Sequence, residues 1–124
     1  PRRIDTKGGQ VVLVSNCGFW ELENFDPLLV HMEALCKNIG REYAGALLRP
    51  HGPALGVMLK GQMPVGDVLE AAAKAGRQLV TRGWMEQETL GAVSRELVPR
   101  DVYIENMNEN FGVAIERWAE RRRQ

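Results

Sequence analysis

The sequence contains few cysteines, no excess of charge of one sign and no long apolar run. Its two cysteines, Cys17 and Cys36, have no metal-ligand spacing and form no disulfide framework. Sixteen basic and sixteen acidic residues cancel, unlike the basic footprint of proteins that bind nucleic-acid polymers. No apolar run approaches the roughly 20 residues that cross a bilayer, and no signal peptide is visible. These absences predict a cytoplasmic protein with no membrane partner, no nucleic-acid partner and no bound metal.

The sequence does contain enough apolar residues for one folded domain with one core, since 44% of its 124 residues are hydrophobic. Residues 1–9 form a polar lead-in, and the predicted domain spans residues 10–124. The most informative segment begins at Val11. Four aliphatic residues, from Val11 to Val14, predict a strand buried on both faces, as in parallel sheets.

Small polar residues, a glycine and two aromatic residues follow this strand. Ligands of open α/β sheets bind outside the carboxyl ends of the strands. The pattern therefore predicts one wall of a site for a flat cofactor. The predicted wall consists of Ser15, Asn16, Cys17, Gly18, Phe19 and Trp20.

A helix should follow, because Asp26 is a suitable N-cap, Pro27 suits the first helical position and Gly40 suits the end. Phe25 and Val30 are spaced for a hydrophobic staple across the cap. Apolar residues at helical spacing should face a sheet. They are Leu28, Leu29, Met32, Leu35, Cys36 and Ile39.

Residues 42–49 predict a second strand, which Pro50 ends. Strand, helix and strand joined by short loops predict a βαβ unit with two parallel strands. A short turn of helix is predicted at 54–60, and further helices are predicted at 68–82, 86–97 and 101–122. Two parallel strands make a poor sheet by themselves. The chain therefore either pairs with another copy or forms one half of a larger domain, and we favour the half-domain.

Several segments, in order, resemble the second half of flavodoxin-like NAD(P)H-dependent FMN reductases, which include relatives of the iron–sulfur flavoproteins. The first is Val-Val-Leu-Val-Ser-Asn-Cys-Gly-Phe-Trp-Glu at 11–21, followed by Asn-Phe-Asp-Pro-Leu at 24–28. Others are Tyr-Ala-Gly-Ala-Leu-Leu-Arg-Pro-His-Gly at 43–52, Ala-Gly-Arg-Gln-Leu at 75–79 and Leu-Val-Pro-Arg at 97–100. The resemblance implies an α/β fold, the C-terminal half of a flavodoxin-like three-layer α/β/α parallel sheet, consisting of βαβ plus C-terminal helices.

The resemblance also implies an oxidoreductase that uses FMN as cofactor and NAD(P)H as electron donor, with flavin and nicotinamide nucleotide as its small-molecule partners. Backbone groups of Ser15, Asn16, Cys17 and Gly18 would then face the flavin ring, and Phe19 and Trp20 would stack on it or border it. No side chain is expected to be catalytic, because the reactive atom belongs to the flavin. The family's phosphate-binding loop and four-cysteine cluster lie upstream of the matching region and have no counterpart in it.

Plain structural interpretations of the same residues stay open. The segment 15–18 also fits an ordinary turn, and the aromatic pair also fits packing under a loop or in a subunit interface. Cys17 is expected to be a small buried residue rather than a redox thiol, and His51 to be an exposed turn residue. A different class of function is also open: a non-catalytic structural or oligomerisation half-domain that pairs with itself or with a separate subunit. In either case we expect a homo-oligomer.

Overall fold

The computed structural model describes residues 8–123; residues 1–7 of the predicted lead-in and Gln124 lie outside the described residues. The described part of the chain is a mixed α/β structure with a two-stranded sheet and five α-helices. In chain order these are β1 (Gln10–Asn16), α1 (Asp26–Asn38), β2 (Glu42–Arg49), α2 (Gly52–Lys60), α3 (Gly66–Arg82), α4 (Gln87–Ser94) and α5 (Arg100–Arg121). A short 3₁₀ turn, Leu22–Phe25, precedes α1.

The predicted βαβ unit is confirmed, since β1 and β2 pair in parallel. The register shifts between Val11 and Leu13, where β2 contains one residue more than β1. Gly45 lies in this extra segment and has φ +116°, a conformation that favours glycine. Beyond the shift the pairing is regular and ends with Asn16 opposite Arg49. Both strands therefore present their carboxyl ends at one edge.

Helix α1 begins one residue earlier than its sequence signals predict. Asp26 is its first residue, and Phe25 occupies the cap position without a side-chain hydrogen bond. Phe25 is buried, but Val30 is 67% exposed, which leaves little of Val30 to form the predicted staple. Of the predicted sheet-facing stripe, Cys36 is fully buried whereas Ile39 is mostly exposed. The stripe is therefore only partly covered.

Helices α3 and α4 pack against each other, and α4 also packs against β2. Helix α3 turns small buried residues, Ala71 and Ala75, inwards, and it ends at Gly83, which has φ +79°. Helix α4 is shorter than predicted: it ends at Ser94, Arg95 has extended backbone angles, and residues 95–99 form an irregular segment before α5. The hydrogen bonds described below hold this irregular segment.

The prediction that β1 is buried on both faces is wrong for the described part of the chain. Val14 is 74% exposed, and Val11, Val12 and Leu13 are only half-buried. The physical reason is that β1 has one neighbouring strand, so one of its edges and part of one face stay open. Among residues 8–123, no helix is both long enough and apolar enough to cross a bilayer.

Candidate binding site at the strand ends

Three backbone hydrogen bonds tie the loop after β1 to the turn after β2. The N–H of Cys17 donates to the carbonyl oxygen of Arg49 (3.1 Å), and the N–H of Gly52 donates to that of Cys17 (2.9 Å). The N–H of His51 donates to the carbonyl oxygen of Phe19 (2.6 Å). The segments 17–19 and 49–52 therefore form one backbone unit at the carboxyl ends of the strands, where α/β proteins bind ligands.

His51 is fully buried at the centre of this unit, so the prediction of an exposed turn histidine is wrong. Its backbone is left-handed (φ 41°, ψ 45°), a conformation in which histidine is more frequent than most residues. The ring Nε2 accepts a hydrogen bond from the N–H of Leu97 (3.0 Å). In the neutral ring Nδ1 therefore carries the proton, and within residues 8–123 it meets no partner in hydrogen-bonding geometry.

The environment of His51 disfavours its charged form. Burial lowers the pKa of the imidazole, and the guanidinium of Arg49 lowers it further, while the nearby backbone of Trp20 acts in the opposite direction. The side chain of Arg49 lies 3.5 Å from Nε2. His51 is therefore a neutral, internal group at neutral pH, and its role is to hold the backbone of Leu97 in place.

Aromatic rings enclose His51 on two sides. The ring of Trp20 stacks on the imidazole, with centroids 5.9 Å apart and planes 17° apart, and the ring of Tyr103 meets it edge-on at 5.6 Å. The indole N–H of Trp20 donates to the carbonyl oxygen of Val98 (3.0 Å), and the hydroxyl of Tyr103 donates to that of Gly18 (2.7 Å). Burial raises the pKa of Tyr103, which keeps this donor protonated. One face of Trp20 is thus used for internal packing.

Arg49 is a buried cation that is satisfied mainly by carbonyl oxygens. It is 6% exposed, and its guanidinium donates to the carbonyl oxygens of four residues. These are Pro50, Val93, Ser94 and Arg95. Burial lowers the pKa of Arg49, with a smaller contribution from the charge of Arg95. The side chain fixes the end of α4 against the end of β2.

Two clefts lie beside this backbone unit, and they divide the predicted site residues between them. The first, of about 400 Å³, is lined by Gly18, Phe19 and Trp20 on one side and by α5 on the other. The second, of about 510 Å³, is lined by Ser15 and Asn16, with α2 and α3 opposite. Cys17 lines neither cleft. The six residues are contiguous in sequence, but they do not form a single surface.

The first cleft combines aromatic walls with one ion pair. Phe19 is 64% exposed, so its ring is available to a ligand, and Phe111 and Met107 of α5 contribute apolar surface opposite it. At one wall Arg100 donates to Glu21 (2.7 Å), and this hydrogen bond lowers the pKa of the Glu21 carboxyl. Such a cleft suits a flat aromatic molecule with polar groups at its edge.

The second cleft lies on the other side of the loop and is less suited to a planar ring. Its polar residues are Ser15, Asn16 and Arg49, and the hydrogen bonds of Arg49 are already directed to the protein backbone. A Cβ at Gly52 would lie 3.1 Å from the Cβ of Asn16, so the close contact between β1 and α2 requires a small residue. This cleft is mainly the part of the sheet surface that α2 and α3 do not cover.

Cys17, the predicted site residue that lines neither cleft, has a structural role. Cys17 is half-buried, and its thiol donates to the carbonyl oxygen of Phe19 (3.5 Å). Within residues 8–123, no group of three or more His, Cys, Asp or Glu side chains is placed to hold a metal ion. Sequence reasoning missed Arg49, His51 and Tyr103 as the internal support of the loop. The position of His51 directly after a strand end was a signal, but it did not indicate burial.

Comparisons of the chain with protein families, curated proteins and solved structures found no match in any of the three.

Proposed function

We propose that this chain supplies the isoalloxazine-side wall of an FMN-dependent NAD(P)H oxidoreductase of the flavin reductase type. The observation that carries the proposal is the first cleft, which places the exposed ring of Phe19 directly after the carboxyl end of a parallel strand. The sequence resemblance directs the choice of a flavin among flat aromatic ligands.

The loop offers the groups that such a ring needs. Within residues 8–123, the N–H groups of Gly18, Phe19 and Trp20 donate no hydrogen bond, so they are available to ring oxygens and nitrogens. Phe19 supplies a stacking surface, and its backbone is held by the N–H of His51, on whose ring Trp20 stacks. When bound, FMN supplies the hydride-accepting chemistry; the residues of this chain bind and orient the ring and tune its electronics.

The fold in which this wall works is proposed to be the flavodoxin-like three-layer sheet. The open edge of β1 and the exposed side chain of Val14 are the places where further strands and a covering helix would pack. The FMN phosphate would be held by that added segment, as in the family that the sequence resembles. This chain would therefore bind the ring and contribute little to phosphate affinity.

A second candidate function is a non-catalytic half-domain that assembles with itself or with a separate subunit. The same open edge of β1 favours it, because unpaired strand edges promote strand addition. In that case the first cleft needs no ligand. Flavin binding separates the two functions.

The test is a titration of lumiflavin, which has the ring but no phosphate, with FMN measured in parallel. Added protein should quench the fluorescence of both, with similar affinities, because the chain holds the ring alone. Phe19→Ala should weaken binding of both by about tenfold, the effect of losing one aromatic contact. Trp84→Ala removes another exposed aromatic residue outside the cleft and should change nothing. Absence of quenching by the unmodified protein would overturn the proposal and favour the half-domain function.

A further inference from the structure

Helix α5 is covered by the described chain only in its first turns. Tyr103 is buried and Ile104 and Met107 are half-buried, but every residue from Asn108 to Trp118 is exposed. Large apolar side chains are among them, including Phe111 (60% exposed), Ile115 (64%) and Trp118 (54%). The guanidinium of Arg122 lies over the ring of Trp118, 4.0 Å from its centroid, but the described residues leave most of the apolar surface of these three or so turns uncovered.

The apolar residues of α5 follow the spacing of a helix–helix seam. Successive intervals of three, four, three and four residues separate them. The set is Ile104, Met107, Phe111, Ala114 and Trp118. These are the alternating core positions of a heptad pattern, in which one helix packs along another. A small residue, Ala114, alternates with two large ones, Phe111 and Trp118, which suits interdigitation with a helix of the same composition.

The exposed half of α5 also needs packing in order to be helical. It contains Asn108, Asn110, Gly112 and Val113, all of which have lower helix propensity than alanine. Helices in proteins obtain most of their stability from the packing of an apolar face. Since the described chain supplies no such packing there, a partner surface is required.

The charge distribution along α5 specifies the partner. Asp101, Glu105 and Glu109 make the first half acidic, and Arg100 is the basic residue there. The end is basic, with Arg117, Arg121, Arg122 and Arg123 against Glu116 and Glu120. Two copies of this helix in antiparallel orientation bring each acidic half against a basic end, whereas parallel copies bring like charges together.

We propose that α5 pairs antiparallel with α5 of a second copy of the chain. In this arrangement the seams meet near the middle of the helix, where Phe111 of one copy lies beside Ala114 of the other. Asp101 and Arg122 occupy equivalent flanking positions of the heptad, so the two helices place them opposite each other at both ends. The pairing needs no flavin, but its seam includes Ile104, Met107 and Phe111, which also line the first cleft, so a partner helix and a bound ring compete for this surface.

The first measurement is sedimentation equilibrium of the flavin-free protein, which should show a monomer–dimer equilibrium. Trp118→Glu should weaken the dimer by about 30-fold or more, the size of a central interface residue. Trp84→Glu, which alters a tryptophan of equal exposure outside α5, should leave the equilibrium unchanged. A monomeric unmodified protein, or a dimer that Trp118→Glu does not weaken, would overturn the proposal.

The orientation is tested by reversing charges. The double variant Asp101→Arg and Glu105→Arg should weaken the dimer by about tenfold at low salt, because arginines then face the basic end. Adding Arg122→Glu and Arg123→Glu should restore it. Glu33→Arg with Glu88→Arg makes the same charge change away from α5 and serves as the control. A dimer insensitive to the first pair, or one that the second pair fails to restore, contradicts the antiparallel arrangement. Circular dichroism of each variant checks that α5 stays helical.

Discussion

At the scale of single residues, His51 is the most constrained group of the candidate site. Its backbone is left-handed, its ring is fully buried between Trp20 and Tyr103, and its Nε2 supports the backbone of Leu97. The sequence around it, Pro-His-Gly after a strand, equally fits an exposed turn. Burial is decided by Trp20 and Tyr103, which are far from His51 in sequence, so local pattern could not predict it.

The buried imidazole makes stability depend on pH. Because burial and Arg49 lower the pKa of His51 below its usual 6.5, the unfolded chain binds more protons than the folded chain in slightly acidic solution. The contribution of His51 is therefore fully present above pH 6.5 and is lost progressively as the pH falls towards the folded pKa. We expect a lower urea midpoint at pH 5.5 than at pH 7.5.

His51→Asn is the variant that isolates this effect, because asparagine tolerates the left-handed backbone and does not titrate. Its urea midpoint should change much less between these two pH values. His31→Asn, which alters an exposed histidine of α1, should keep the pH dependence of the unmodified protein. The carboxyls of Glu21, Asp67 and Glu86 have lowered pKa values and lose their contribution at more acidic pH, so they do not obscure the comparison. Equal pH dependence in His51→Asn and the unmodified protein would refute the assignment.

At the scale of elements, sequence patterns predicted most of the secondary structure. The strands at 10–15 and 42–49 and their parallel pairing follow from aliphatic runs and short connections, which are local properties. The end of α4 could not be predicted in this way, because the carbonyl oxygens of Val93, Ser94 and Arg95 are bound by Arg49 from another part of the chain. The bulge at Gly45 was also missed, since a glycine in a strand does not reveal its φ.

The two glycines Gly45 and Gly76 give opposite predictions for substitution by alanine. At Gly45, φ is +116° and a Cβ would lie 3.3 Å from the Cε of Met85, so Gly45→Ala should lower the free energy of unfolding by about 1–2 kcal/mol. Gly76 lies within α3 with open space around its Cα, so Gly76→Ala should raise it by about 0.5–1 kcal/mol. Urea denaturation measures both. A neutral Gly45→Ala would contradict the bulge.

At the scale of the whole molecule, the described chain leaves its sheet incomplete on the side of β1. The sequence predicts that a strand as apolar as Val11–Val14 needs more than one neighbouring strand to bury it. In the two-stranded sheet Val14 is indeed exposed. The wider three-layer sheet stays a proposal, because it depends on segments that the described residues do not contain. The division of the site into two clefts could not be predicted either, because α5 lines the first cleft and α2 and α3 line the second, and α3 and α5 are distant from the loop in sequence.

Val14→Lys tests whether anything covers that face in the isolated chain. With the side chain 74% exposed, the substitution should change the free energy of unfolding by no more than about 0.5 kcal/mol. Leu48→Lys, at an 8% exposed position on the neighbouring strand, should prevent stable folding. If Val14→Lys is strongly destabilising in thermal or urea denaturation, a covering surface is present in solution.

The backbone hydrogen bonds between segments 17–19 and 49–52 couple the movement of the loop to that of the turn. Displacing the loop breaks these hydrogen bonds to the turn, and displacing the turn breaks the hydrogen bonds of His51 and Arg49 with the distant 93–97 stretch. Local opening of the wall therefore requires the turn and the 93–97 stretch to move with it. A molecule that docks in the first cleft meets a preorganised surface, and its affinity is not reduced by the entropy of ordering a loop.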